Sequence, residues 1–254
     1  MTGLFAGKRV LVTGSTRGLG LATARRFLEE GAEIIVHGRS RAPVERVVAS
    51  LLAAHPGRVS GEAAALSDRL ETDRLANAAG DLDVLVNSAG VFEEVMMANA
   101  DPEHWLRTIE INLTAPWRLA RALLDGLARR EGVIVNVGSD AAFVGYAGSV
   151  AYCASKGALV GLTKALAVEL APKVRAVCVC PGPIETDMMR ESVAAQPDPV
   201  AAVNVWESNP MLKRVAQPEE IAEAVLFAAS PRCRYQTGSV VMVDGGVTAG
   251  RRVP

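Results

Sequence analysis

The chain reads as a doubly wound α/β fold on three observations. Its strand-like segments are unbroken apolar runs, helical segments alternate with them, and a glycine-rich turn follows the first strand. A strand covered by helices on both faces has no polar side, so its residues need not alternate. Parallel pairing follows, because a crossover helix returns the chain to the same edge of the sheet. With 254 residues, 50% of them hydrophobic, the chain is long enough for one such domain spanning 1–254. Counting the apolar runs gives about seven parallel strands.

The first strand falls in 8–13, around Val10-Leu11-Val12. Leu21, Ala24, Phe27 and Leu28 then recur at helical spacing, and Gly31 ends that helix in the way glycine commonly does. The second strand is 33–37. A helix over 43–55 turns Val44, Val47, Val48, Leu51 and Leu52 inward. A weak third strand covers 59–66, a helix 70–79, and the fourth strand 83–87. Residues 102–130 read as one long helix with Trp105, Ile109, Leu113, Leu119 and Leu123 at helical spacings. Pro116 should kink or divide it, having no N–H to give the preceding turn. The fifth strand is 133–137, followed by a helix over 152–170 and the sixth strand at 174–179. A helix over 219–229 and a seventh strand at 240–243 complete the pattern. Residues 182–212, with Pro183, Pro197, Pro199 and Pro210, read as a long irregular stretch. Such stretches are often functional, and 183–212 is expected to be a substrate lid.

Charge excludes some partners. The 27 basic and 28 acidic residues leave a net charge of −1 with no block of either sign. That gives no electrostatic case for nucleic acid or acidic lipid. Arg251 and Arg252 read as a solvated tail. Cys153, Cys178, Cys180 and Cys233 form no C-x-x-C pair and fit no zinc spacing, and His37, His55 and His104 are scattered. No metal site is expected. Cys178 and Cys180 should share one side of a strand as buried apolar residues. The start shows no leader, and no apolar run approaches membrane-spanning length, so a cytoplasmic setting is expected.

The chemistry concentrates in 139–156, S-D-A-A-F-V-G-Y-A-G-S-V-A-Y-C-A-S-K. Tyr152 and Lys156 are four apart and share one helix face. An ammonium close to a phenol favours the phenolate and pulls its pKa down from about 10. A drop of roughly three units corresponds to about 4 kcal/mol and would make Tyr152 an acid/base near neutral pH. Ser139 follows the fifth strand, and strand ends are where open α/β sheets place their sites. Taken alone, a Tyr and a Lys at helical spacing are common surface residues. The glycines carry a second signal. Gly14, Gly18 and Gly20 lie between a strand and a helix, where glycine lets the backbone approach a pyrophosphate at the helix N-terminus. Alone, this too is only an ordinary tight turn.

Together the motifs are specific. Thr13-Gly14-x-x-x-Gly18-Leu19-Gly20, Asn87-Ser88-Ala89-Gly90, Asn112, Ser139, Tyr152-x-x-x-Lys156 and Pro181-Gly182 occur in order over nearly the whole chain. In this the chain resembles the short-chain dehydrogenases/reductases, of the short single-domain subgroup with a Rossmann-type fold. The resemblance implies that Tyr152 is the general acid/base and that Lys156 binds the nicotinamide ribose and lowers the tyrosine pKa. It implies that Ser139 bonds the substrate oxygen and that Asn112 holds a water linking Lys156 to solvent. Asn87 and Gly90 fall where the family supports the central sheet and the adenosine ribose. Pro181, Gly182, Ile184 and Thr186 fall where it contacts the nicotinamide. Two departures stand out. Aligning Leu66-Ser67-Asp68 puts Ala65 where an adenine-contacting aspartate is common, with Ser67 or Asp68 as poor substitutes. Asn87-Ser88-Ala89-Gly90 replaces the commoner N-N-A-G.

At the end of the second strand, His37-Gly38-Arg39-Ser40-Arg41 offers no acid for a ribose diol. Arg39, joined by Arg17 from the glycine loop, suits a 2′-phosphate instead. NADP(H) is therefore expected, with NAD(H) left open. The substrate pocket should draw on Phe92, Phe143, Tyr146, Met188, Met189, Trp206 and Met211, which suits an apolar ketone or alcohol. Asp140 reads equally well as a substrate contact or an exposed turn. The Ala- and Gly-rich helix over 152–170 is apolar nearly all round, which points to a homotetramer or homodimer. The expected activity is hydride transfer between NADP(H) and a small carbonyl or secondary alcohol. An NAD-dependent alcohol or polyol dehydrogenase, a 3-oxoacyl thioester reductase and a non-catalytic cofactor sensor are the rivals.

Overall fold

In the computed structural model, which describes residues 3–250, seven strands form one parallel sheet. They are β1 (Arg9–Val12), β2 (Glu33–Gly38), β3 (Val59–Ala63), β4 (Val84–Asn87), β5 (Val133–Val137), β6 (Arg175–Pro181) and β7 (Val240–Val243). Their order is β3-β2-β1-β4-β5-β6-β7, so the winding reverses between β1 and β4. This is the doubly wound Rossmann-type arrangement, and that reversal is where such sheets open a crevice at their carboxyl ends.

Both faces are covered, which explains the unalternated strands. On one face Val10, Val12, Val84, Val86, Val133 and Val135 pack with three helices. These are α1 (Gly18–Glu29), α2 (Arg41–Ala54) and α10 (Pro218–Ala229). On the other, Leu11, Leu85 and Ile134 meet α3 (Arg69–Ala79), α5 (Ala115–Ala122), α6 (Leu124–Arg129) and α7 (Val150–Leu170). Each fully buried Val or Leu contributes about 1.5–3 kcal/mol, so neither face can be uncovered cheaply. Cys178 and Cys180 share one side of β6, both buried, with their sulfurs 3.6 Å apart.

Three expectations need correction. Residues 102–130 are not one helix: of the two outcomes expected of Pro116, division and not a kink is the one found, and α6 follows as a further break. The segment is α4 (Pro102–Ile109), a π turn (Glu110–Thr114), α5 and α6. Pro116 sits in the first turn of α5, where its missing N–H costs nothing locally. It does deprive the carbonyl of Asn112, four residues back, of its α-helical donor, and the widened turn falls there. Residues 182–212 are not irregular either. They hold α8 (Asp187–Ala194) and α9 (Pro199–Ser208). The Thr186 side chain caps α8 and Asp198 caps α9, with Pro199 at the first helical position, so a residue read as a breaker is a starter. The third strand stops at Ala63, because Asp68 accepts from Leu70 N and Glu71 N to start α3.

Among the described residues no helix is long and apolar enough to cross a membrane, and no group of three His, Cys, Asp or Glu could hold a metal ion. Arg251 and Arg252 lie outside the described residues.

Candidate active site

A cleft of about 1040 Å³ opens along the carboxyl ends of the strands. The Thr13 hydroxyl accepts from Ser88 N at 3.1 Å and Ala89 N at 3.0 Å, joining the loops after β1 and β4. Gly14 lies against the same loop with φ +68°, and a Cβ there would stand 2.8 Å from Ala89 Cα. Only glycine satisfies both the left-handed backbone and the close approach.

Gly14, Arg17, Gly18, Leu19 and Gly20 all line the cleft. No side chain caps the N-terminus of α1, so its amides are left for an anion. His37, which no sequence pattern singles out, holds the loop in place. Gly14 N donates to His37 Nδ1 at 3.1 Å, and His37 Nε2 lies 3.1 Å from Ala64 O. The ring must therefore be the Nε2–H tautomer and neutral; burial pushes its pKa down to about 4.

At the far end of this half, Arg39, Ser40 and Arg46 line the cleft beside Ala65 and Leu66. Arg39 and Arg46 are exposed, and among the described residues neither pairs with an acid. Arg46 comes from α2, seven residues beyond Arg39, and no local pattern distinguishes it. Arg17 lines the cleft too, but its guanidinium pairs with Glu191 of α8. Asp68 caps α3, so it does not replace an adenine contact.

The other half brings the predicted acid/base set together. Ser139, Tyr152 and Lys156 line the cleft with Gly90, Pro181, Gly182, Ile184 and Thr186. Lys156 Nζ donates to Val137 O at 2.8 Å and lies 5.6 Å from the centroid of the Tyr152 ring. Burial lowers the Lys156 pKa to about 8. It also raises the Tyr152 phenol, with the Ser139 hydroxyl acting weakly the other way. The expected depression of the tyrosine is thus not present in this state: desolvation of the ring outweighs an ammonium whose own proton goes to Val137 O.

Two predicted residues do not line the cleft. The Asn87 side chain donates to Asn136 Oδ1 at 2.8 Å and braces β4 against β5. Asn112 is buried in the π turn. Its Oδ1 accepts from Val91 N at 2.8 Å, and its Nδ2 donates to Val91 O and Ser155 Oγ. It therefore fixes the loop after β4 against α7. Of the expected apolar lining, Phe92, Tyr146, Met188, Met189 and Trp206 are in place, with Phe92 edge-on to Tyr152 at 4.9 Å. Phe143 is 52% exposed and, like Met211, lies outside the cleft. Asp140 is buried beside Ser139, not an exposed turn.

The arrangement suits an extended dinucleotide whose pyrophosphate meets the glycines and whose reactive end reaches Tyr152. Comparisons with known proteins agree. A family profile described as enoyl-(acyl carrier protein) reductase matches residues 14–248. A 3alpha-hydroxysteroid dehydrogenase of Mediterraneibacter gnavus is 35% identical over 94% of this chain and 96% of its own. A 3-oxoacyl acyl-carrier-protein reductase FabG of Vibrio harveyi is also 35% identical, over 95% and 97%. Among solved structures, a short-chain dehydrogenase/reductase of Brucella melitensis described as a glucose/ribitol dehydrogenase superposes with a TM-score of 0.89. It shares 33% identity, over 97% of this chain and 99% of that one. With its fold, cleft and relatives in agreement over nearly the full length, the chain belongs to the short-chain dehydrogenase/reductase family of oxidoreductases.

Proposed function

We propose that this protein is an NADP(H)-dependent oxidoreductase of a moderately apolar ketone or secondary alcohol, with Tyr152 as general acid/base. The observation that carries this reading is the meeting of Ser139, Tyr152 and Lys156 at one end of a cleft whose other end is the glycine loop. A nicotinamide dinucleotide is the family's hydride carrier and supplies or takes the hydride when bound. The preference for the phosphorylated form rests on Arg39 and Arg46, two guanidinium groups without acidic partners where a 2′-phosphate would lie. Gly14, Gly18, Leu19 and Gly20 would hold the pyrophosphate, Leu66 and Gly90 would border the adenosine, and Pro181, Gly182, Ile184 and Thr186 would border the nicotinamide.

The chain's own groups move the proton. Tyr152 gives its phenolic proton to the substrate oxygen during reduction and takes one during oxidation. Lys156, charged below about pH 8, stabilises the phenolate that forms. Ser139 bonds the same substrate oxygen and orients it. Because the Asn112 side chain is engaged by Val91 and Ser155, any solvent link to Lys156 would use its main-chain carbonyl, the one Pro116 cannot serve. Helices α8 and α9 would form the lid, and Met188, Met189 and Trp206 give it an apolar inner face. Arg107, which lines the cleft, pairs with Glu93, and Glu94 lines the cleft as well, which disfavours the anionic arm of a carrier-bound thioester. One catalytic domain is assigned, since all seven strands share a sheet. Trp105, Leu106, Trp117 and Val168, exposed on α4, α5 and α7, support a homodimer or homotetramer. Four free thiols accord with a reducing, cytoplasmic setting.

The test is Tyr152→Phe, assayed with NADPH and NADH across a panel of ketones and alcohols. Turnover should fall by at least about 10²-fold while the dissociation constant of NADPH stays within about twofold. Unchanged turnover would remove Tyr152 from the mechanism.

A further inference from the structure

Asp140 is a buried carboxylate that the mechanism above does not use. It accepts three hydrogen bonds. Ser139 Oγ donates to Oδ1 at 2.8 Å, Ala141 N donates to Oδ1 at 2.9 Å, and Tyr146 OH donates to Oδ2 at 2.7 Å. Asn209, at the end of α9, donates to the Tyr146 hydroxyl at 3.3 Å, so the chain of bonds runs from the lid to the serine.

A hydroxyl has one proton. In this state that of Ser139 is given to Asp140 and not to the Tyr152 phenol it also neighbours, and its oxygen already accepts from Ala141 N at 3.1 Å. What Ser139 still offers the cleft is a lone pair. An alcohol can use it, accepting from the Tyr152 phenol and donating to Ser139. A carbonyl can only accept, and Ser139 has no proton to give it.

We propose that Asp140 is a positioning residue that takes the Ser139 hydroxyl proton, makes Ser139 an acceptor, and so sets the site to prefer the alcohol form of the substrate over the ketone. The inference rests on the oxidoreductase reading above and adds to it which form of the substrate is held. It carries a pH dependence. Desolvation raises the Asp140 pKa, the Tyr146 and Ser139 hydroxyls and Ala141 N oppose this, and Asp244 beyond β7 adds to it. Tyr152 on α7 faces the same charge. Once protonated, Asp140 can donate to Ser139 and release the serine proton to a carbonyl, so the alcohol preference should decline as pH falls.

The test isolates Ser139 on a Tyr152→Phe background loaded with NADPH, in which neither ligand turns over. Dissociation constants of cyclohexanol and cyclohexanone, with 2-octanol and 2-octanone as a second pair, are read from the fluorescence of bound NADPH. At about pH 8 the alcohol should bind about fivefold tighter than its ketone, the worth of roughly one hydrogen bond. The ratio should decline as the pH is lowered and Asp140 gains its proton, whose affinity burial raises. Adding Asp140→Ala should abolish or invert the ratio. Asp140→Asn keeps an acceptor that does not titrate, so it should hold the preference at every pH and serves if the alanine variant does not fold. Adding Tyr146→Phe removes a donor to the carboxylate and should move the inflection to higher pH. A purely structural Asp140 would change stability and leave the ratio flat. A parent that binds NADPH yet shows no alcohol preference, or a preference insensitive to pH and to Asp140→Ala, overturns this inference alone. A parent that binds neither NADPH nor NADH overturns the oxidoreductase reading and this inference with it.

Discussion

Replacing Lys156 with methionine should stabilise the folded protein at pH 7 while it destroys activity. Lys156 is buried, with 5% of the residue exposed, and its pKa falls from 10.5 to about 8. At about 1.36 kcal/mol per unit, holding that charge at neutral pH costs the fold about 3 kcal/mol. Between pH 8 and 10.5 the unfolded chain binds the proton that the folded chain has released, so wild-type stability rises with pH across that window and is depressed below it. Methionine fills similar space and does not titrate. It loses the bond to Val137 O, which offsets roughly 1–2 kcal/mol of the gain. The variant should therefore be more stable than wild type by about 1–2 kcal/mol at pH 7 and lose that advantage near pH 10.5, a swing of about 3 kcal/mol. Urea unfolding of the cofactor-free proteins at both pH values measures it, and groups common to both cancel in the difference. A swing under about 1 kcal/mol, or one of opposite sign, would refute the claim that this lysine is held in a desolvated site.

Arg39→Asp should weaken NADPH by at least about tenfold relative to NADH, with a smaller further loss on adding Arg46→Ala; parallel changes for both nucleotides, measured by fluorescence titration, would rule out the phosphate contact. His37 is buried neutral with a pKa of about 4 against an ordinary 6.5, so stability should fall by about 2–3 kcal/mol as pH drops through that interval. His37→Asn should flatten this acid limb in urea unfolding at pH 7 and about 4.5, whereas an unchanged slope would mean that another group dominates it.

Much of the fold was legible because its strands are buried on both faces. Residues 133–137 are apolar but for Asn136, and 240–243 apolar throughout, and β5 and β7 occupy those bounds. The lid was not legible, since Pro199 looks the same whether it breaks a helix or begins one, and only the Asp198 cap decides. The site divided along the same line. Tyr152, Lys156 and Ser139 are linked by a helical repeat and a strand end, which are local patterns. The burial of Asp140 depends on Tyr146 folding against it, the arrival of Arg46 depends on how α2 lies against the sheet, and the partner of Arg17 lies 174 residues away. The direction of the Tyr152 shift failed for the same reason. Spacing along a helix shows which charge is near, but not how much water has been removed.

The Thr13 hydroxyl, holding the loops after β1 and β4 together, marks a seam through the molecule. In the reading proposed above, loops after β1, β2 and β3 on one side of it would meet the adenosine and phosphates, while segments after β5 and β6 on the other would meet the nicotinamide and the substrate. The chain that would hold the adenosine half is thus separate from α8 and α9. If α8 and α9 are the lid, altering their inward residues would change the substrate while the adenosine side of the cleft keeps its own fold, Arg17 being the glycine-loop residue tied to α8.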